Sequence, residues 1–189
     1  MSLHRSLLMA QQKIENPYDF NGIDKYLDTG IKLWTGSPFT LMIVFMSRAV
    51  DNGVNQTIFT TRNYGNEAGV TVLQKTGANF YKGCVVGQSR YSDNTLFNSI
   101  QGVKKGLTLK FSGSGNLFYY PKNNATDSAG YGSSSIVVPS SPTDETLLLG
   151  ANRTASGIGE FWDGRIYAIA FENRELTSSE QLNFFYGKL

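Results

Sequence analysis

The clearest chemical signal in the chain is a set of short runs that place an aromatic ring beside amide, carboxylate or guanidinium groups. Arg62-Asn63-Tyr64, Arg90-Tyr91-Ser92-Asp93-Asn94, Tyr119-Tyr120 and Tyr131 are of this kind, and Trp34 and Trp162 also lie near turns. An aromatic face stacks on the apolar side of a pyranose ring while neighbouring polar groups meet its hydroxyls. The residue types therefore point to saccharide recognition, with Asn63, Tyr64, Arg90, Tyr91, Tyr119, Tyr120 and Tyr131 as candidate ligand-binding residues.

Bond-making chemistry finds less support. The only histidine is His4, near the start of the chain, so a Ser-His-Asp or Cys-His nucleophile is excluded from the main body, as is a zinc site bearing histidine. Cys84 stands before Val85 and Val86 and reads as a small buried hydrophobe. Glycoside hydrolysis needs two carboxyls about 5–9 Å apart, which on one strand means acids at i and i+2. No Glu-x-Asp or Glu-x-Glu occurs; Glu160/Asp163 and Glu172/Glu175 are spaced at i+3 and read as solvated turn residues. The chain is expected not to be an enzyme.

Calcium needs oxygen ligands from loop carboxylates and carbonyls. Asp93, Asn124 and Asp127 are the candidates, in Asx-rich stretches that turn capping explains equally well. No cofactor is required by anything in the sequence, and calcium is a metal that it admits.

The elements that must position these groups are strands. Phe39 to Met46 alternates, with Phe39, Leu41, Ile43 and Phe45 on one face and Thr40, Met42 and Val44 on the other, as expected of a central strand. Further runs of β-propensity cover 57–61, 70–74, 79–86, 107–111, 117–120, 135–138 and 146–149, each bounded by Gly, Asn, Asp, Ser or Pro. The Ser/Gly-rich stretch 127–135 reads as a loop. Arg165–Phe171 places Tyr167, Ile169 and Phe171 on one face and Ile166, Ala168 and Ala170 on the other. Thr177-Ser178-Ser179-Glu180 then spells a capping box opening a short helix with Leu182, Phe185 and Tyr186 on one side and Gly187 as its stop.

With 189 residues, 17 basic against 15 acidic, and 20 glycines, the chain fits one larger all-β domain. The charges are scattered, so nucleic acid is a poor partner, and no apolar run has the length of a membrane span. The single cysteine leaves packing alone to hold the fold. Residues 1–17 read as a lead-in segment with a short helix, and 18–189 as the domain.

The opening FNGIDKYLDTG, the FTLMIVFM strand, LLLGA, and the closing FWDGRIYAIAFENRELTSSEQL together resemble the laminin-G-like branch of the concanavalin A-like superfamily. The match covers Tyr18 to Met46 and Thr146 to Tyr186. It departs from the family pattern where GLTLKFSGSGNLFYYPKNN replaces the usual Trp-x-His-Val strand. The resemblance implies an all-β, two-sheet antiparallel jelly-roll sandwich, with Trp162 at the family's structural aromatic position. It also implies an interaction surface, because members bind glycans, proteins or lipids, and only a minority hydrolyse polysaccharides on a Glu-x-Asp-x-x-Glu strand. The expectation is a non-catalytic, lectin-like carbohydrate-binding module of a larger bacterial surface or phage tail protein, extracellular, cell-surface or virion-borne. Its partner would be a glycan or a surface protein. The alternatives are a structural domain of a virion or tail assembly, with homo-oligomers, and, third, a divergent polysaccharide hydrolase or lyase.

Overall fold

The computed structural model describes residues 17–33, 37–48, 53–62, 69–74, 80–87, 90–98, 101–113, 117–124, 131–133 and 145–189, with 80–87, 90–98 and 131–133 described as backbone alone. The lead-in helix and strand 135–138 expected from the sequence lie outside these residues.

Among the described residues, fourteen strands form the body. They are β1 (Tyr18–Asn21), β2 (Leu27–Asp28), β3 (Phe39–Ser47), β4 (Gln56–Thr60), β5 (Gly69–Gln74), β6 (Phe80–Gly87), β7 (Arg90–Asn98), β8 (Lys105–Phe111), β9 (Leu117–Lys122), β10 (Tyr131–Ser133), β11 (Leu148–Leu149), β12 (Asn152–Thr154), β13 (Gly157–Gly159) and β14 (Asp163–Glu172), followed by helix α1 (Ser178–Phe185). Sheet A has the order β1-β14-β3-β8-β9-β10 and sheet B the order β2-β11-β4-β5-β6-β7, while β12 and β13 pair as a separate hairpin. The result is the expected jelly-roll sandwich with its short C-terminal helix.

Sheet A turns one face of its alternating strands inward. Phe39, Leu41, Ile43 and Phe45 of β3 meet Leu107, Leu109 and Phe111 of β8, and from sheet B Ile58, Phe59, Val70, Val72 and Leu149 close the interior. Complete burial of each such side chain contributes about 1.5–3 kcal/mol. Trp162 enters the same cluster fully enclosed. Its ring lies 5.7 Å from Phe20 and 6.0 Å from Phe45, and its indole N–H donates to Ser47 Oγ at 2.8 Å.

The other face of β3 is covered by α1. Met42 and Val44 pack with Ala170, Leu176 and Phe185, and Phe184, Tyr167, Ala168 and Leu189 complete this second cluster. The helix can come so close because Gly106 lacks a side chain: a Cβ there would stand 2.7 Å from Phe185 Cε1.

Two of the expected faces change. A β-bulge between Ile166 and Ala168 shifts the register of β14 against β3. Ile166 therefore points into the main core and Tyr167 joins the helix-side cluster, the reverse of strict alternation, because a bulge inserts one residue into the pleat. On α1 the buried residues are Gln181 and Phe185, whereas Leu182 and Tyr186 are exposed. The helix leans on its Gln181 side because the Gln181 amide donates to Leu176 O at 3.0 Å.

The capping box forms as spelled. Thr177 Oγ accepts from the Glu180 N–H at 3.3 Å and the Glu180 carboxylate accepts from the Thr177 N–H at 2.8 Å. Arg174 adds a two-pronged pair to the same carboxylate at 3.1 and 2.6 Å. Arg174 and then Thr177 hold the Glu180 carboxyl down from 4.5 to about 2. A depressed folded pKa means that this contribution is complete above the unfolded value and disappears as pH falls from 4.5 toward about 2. Acid titration followed by far-UV circular dichroism should therefore show α1 loosening in that window, and Glu180→Gln should remove the dependence. Thr177→Ala should cost about 1 kcal/mol, read in urea unfolding.

Candidate functional site

Sheet B has an inner face that makes the core and an outer face that does not. Thr60 pairs with Thr71 across β4 and β5, and Thr71 with Cys84 and Cys84 with Asp93 across β6 and β7. On the other side Thr60 stands opposite Leu148, and Leu148 opposite Asp28. Directly opposed residues share a face, so one row of register positions, Asp28-Leu148-Thr60-Thr71-Cys84-Asp93, crosses all six strands of the outer face. The Thr60 and Thr71 hydroxyls meet at 2.8 Å. Cys84 thus falls in the outer row, one step out of phase with Val85, which opposes the core residue Val70.

The middle of this row is closed, with Thr60, Thr71 and Leu148 at 0%, 2% and 1% exposure. Asp28, at the β2 end of the row, is exposed. At the β2–β11 margin the Asp28 carboxyl lies below the usual range, held first by the Thr146 hydroxyl and then by the Gly30 N–H, with Arg153 adding its charge. Arg153 is fixed in turn by Glu145 at 2.8 Å and by the Thr146 carbonyl at 2.9 Å.

The end of sheet B at Thr60, Gly69, Gly87 and Arg90 gathers more of the expected residues. Because β4 to β7 run antiparallel in order, the ends of β4 and β6 and the starts of β5 and β7 share one end of the sheet. Arg90 and Tyr91 begin β7 there; Asn63 and Tyr64 lie outside the described residues. Tyr91 opposes Val86, and Val86 opposes Gly69, so Tyr91 occupies the same side as Thr71 and Asp93. The run Arg90–Asn94 is part of a nine-residue strand, not a loop: pairing along β6 overrides a polar sequence with no apolar period.

The remaining tyrosine candidates belong to sheet A. Tyr119 is a core residue with 0% exposure and cannot offer a ring face to a ligand. Tyr131 opposes it on β10, within the stretch read as a loop. Tyr120, next along β9, lies half-buried on the outer side of sheet A. Strand alternation separates Tyr119 from Tyr120 by placing adjacent residues on opposite faces.

The calcium candidates fall on different elements. Asp93 belongs to sheet B and Asn124 follows β9 of sheet A, where the neighbouring Asn123 carbonyl already accepts from the Lys105 ammonium at 2.6 Å; Asp127 lies outside the described residues. Among the described residues no three His, Cys, Asp or Glu groups converge as metal ligands.

The four acids at i+3 spacing have separate structural employment. Glu160, expected in solvent, sits at φ +51° and receives the Asn152 amide at 2.6 Å and the Thr57 hydroxyl at 3.2 Å. Asp163 pairs with Arg48 at 2.9 Å and Glu175 with Lys110 at 2.9 Å, and Glu172 lies at the end of β14 near Arg174.

No family model matches the chain, and no curated protein sequence matches it significantly. Solved structures do. A carbohydrate-binding module, CBM40, of an intramolecular trans-sialidase from Ruminococcus gnavus superposes with a TM-score of 0.63 at 13% identity, covering 90% of this chain and 97% of that one. The same module has been solved bound to α2,3-sialyllactose. The sialidase NanB from Streptococcus pneumoniae matches with a TM-score of 0.65 at 14% identity over 88% of this chain, and a Trypanosoma rangeli sialidase with 0.66 at 14% over 89%. This chain spans about a quarter of the length of those sialidases, 27% in both cases. At such identities the shared property is the fold.

Proposed function

We propose that the chain is a non-catalytic, lectin-like carbohydrate-binding module, taking its glycan at the end of sheet B that carries Arg90 and Tyr91, with Asn63 and Tyr64 as further candidates for the same site. The observation that carries this reading is reciprocal coverage: the fold corresponds over 90% of this chain and 97% of the solved CBM40 chain. The finer ligand reading is a sialylated glycan, after the saccharide held by that module. An arginine opposite a sugar carboxylate and a tyrosine ring under the sugar are suitable chemistry. A place in the superfamily of concanavalin A-like lectins, and a role outside the cell on a bacterial surface or phage tail protein, belong to the same proposal.

Calorimetric titration with 3′-sialyllactose should show saturable binding, with lactose weaker. Arg90→Ala should weaken it by about tenfold to a hundredfold, the loss of about 1.5–3 kcal/mol for a hydrogen bond to a charged group, and Tyr91→Ala by about tenfold. A glycan array on which no saccharide binds would sink the proposal.

A second reading, a structural domain in an assembly of its own copies, draws on one surface feature. Ile23 is 73% and Tyr26 47% exposed, and Tyr26 packs its ring against Phe161 at 6.4 Å. The loop that presents them is rigid: Asn21 Oδ1 accepts the N–H groups of Ile23, Asp24 and Lys25 at 3.1, 3.2 and 3.1 Å. Light scattering on a sizing column separates the readings, since an oligomer dispersed by Ile23→Asp supports assembly and a concentration-independent monomer removes it.

A further inference from the structure

The chain contains two Asn-Gly pairs, Asn21-Gly22 and Asn52-Gly53. Such a pair carries its own reaction, in which the glycine nitrogen attacks the asparagine side-chain carbonyl carbon; glycine has no Cβ to obstruct the ring closure, and its backbone turns freely. Asn21-Gly22 stands where β1 passes into the loop that presents Ile23 and Tyr26, and every polar group that the reaction uses is engaged. Asn21 Oδ1 accepts from the N–H groups of Ile23, Asp24 and Lys25 at 3.1, 3.2 and 3.1 Å. Asn21 Nδ2, the leaving group, donates to Asp24 Oδ1 at 2.7 Å. The Gly22 N–H, the nucleophile, donates to the Trp162 carbonyl at 3.2 Å. Strand β14 stands against the pair: Asn21 is opposite Asp163, and a Cβ at Gly22 would lie 3.0 Å from Asp163 Cβ.

We propose that Asn21 is a deamidation site that the folded corner holds shut, and that local opening of β1 exposes it to a one-way modification. The attack joins Gly22 N to Asn21 Cγ and breaks the Cγ–Nδ2 bond. Ammonia leaves, carrying the proton of the Gly22 N–H, and water then opens the five-membered imide at either carbonyl to give aspartate or isoaspartate. No reagent besides water takes part. Attack requires the reacting atoms about 3–3.5 Å apart and aligned. In the closed corner the nitrogen is tied to Trp162 and the side-chain amide is pinned through both its oxygen and its nitrogen, so the two cannot be brought into line without breaking those bonds. Among the described residues β1 pairs with β14 alone, and local opening of such an edge element releases the restraints together. Isoaspartate then lengthens the main chain by one carbon just where β14 fixes both residues, and either product sets a carboxylate against that of Asp24. A converted chain therefore does not recover the corner. None of the residues assigned to saccharide binding takes part.

The test is peptide mapping by mass spectrometry of the whole chain, aged in mildly alkaline buffer either folded or in urea, with aspartate and isoaspartate counted at Asn21. In urea Asn21 should convert, and Asn52-Gly53 gauges the same chemistry in the same sample. In the folded chain conversion at Asn21 should be slower than in urea by about tenfold or more. Asp24→Ala frees Nδ2 from an exposed partner and should raise the folded rate about tenfold, at an unfolding midpoint close to that of the parent. Chains converted at Asn21 in urea and then refolded should melt at a lower temperature than unconverted chains treated alike. Equal rates in the folded chain and in urea overturn the proposal. So does a faster rate in the folded chain, which would mean that the three N–H groups act on Oδ1 as an oxyanion hole. A folded rate that Asp24→Ala leaves unchanged, or converted chains that refold to the parent midpoint, also overturns it.

Discussion

Trp162→Ala is expected to lower the unfolding free energy by about 3–5 kcal/mol, the usual range for removing a large aromatic side chain from a core. Against a total of about 5–15 kcal/mol for a folded domain, that takes away a large share. The residue is fully enclosed, touches Phe20 and Phe45, and donates to Ser47 Oγ at 2.8 Å. Its backbone N–H donates to Gly150 O at 2.9 Å, and its carbonyl accepts from the Gly22 N–H at 3.2 Å. One side chain thus fills the space between the sheets just where β14 begins. Urea denaturation reads the effect as a lower midpoint at an unchanged slope. Trp162→Phe keeps one aromatic ring but loses the bond to Ser47 Oγ and the volume of the second ring, so it should cost less, about 1–3 kcal/mol. Equal losses for the two variants would refute the packing account.

Gly150→Ala should be damaging out of proportion to the one carbon that it adds. Gly150 sits at φ +79°, and a Cβ there would lie 2.1 Å from Phe20 Cδ1. The left-handed backbone costs an L-residue about 1–2 kcal/mol, and forcing a methyl group into a filled core adds about 1–3 kcal/mol. A total of about 2–5 kcal/mol follows. The two contributions can be separated in a double-mutant cycle. Phe20→Leu makes room for the methyl group and should return the steric part while leaving the backbone part. If Gly150→Ala alone costs under about 1 kcal/mol in thermal unfolding, the ring and the turn yield more easily than the geometry indicates.

The sequence expressed its fold where one interaction governs each residue. In β3 the alternation is undisturbed because β14 and β8 flank it on both sides, and its two faces meet two different covers, the interior and α1. The capping box is local, four residues and two reciprocal bonds, and so it forms as written. Where two demands compete, single-residue patterns failed. The bulge after Ile166 is visible only once β14 is laid against β3, and it exchanges the sides of Ile166 and Tyr167. On α1 the amide of Gln181 reaches Leu176 O, five residues back, a local polar bond with no signature in apolar spacing.

Of the candidate residues, Arg90 and Tyr91 begin β7 at one end of sheet B, a placement that follows from strand pairing and that the polar run itself does not announce. Tyr119 and Tyr131 were drawn from composition, yet Tyr119 opposes the core residue Leu109 in register and Tyr131 opposes Tyr119. Strict application of a period of two to Leu117–Tyr120 already requires Tyr119 and Tyr120 to part, and that argument was available in the sequence. Glu160 was not: its role depends on Asn152 and Thr57, held beside it by the β12–β13 hairpin and β4.

The pairing order of sheet A has a consequence for how the protein is made. Strand β3 needs β14 on one flank, and β1 has no described neighbour except β14, with Phe20 opposite Gly164 and Phe45 opposite Ile166. A ribosome adds about 5–20 residues per second, so the earliest strands leave the exit tunnel many seconds before their partner is synthesised. During that interval the FTLMIVFM segment is an apolar strand with an open edge, which invites association with neighbouring nascent chains. Truncation anywhere before β14 should therefore give an insoluble product, and recovery in expression should depend on chaperone supply more than on the stability of the finished domain.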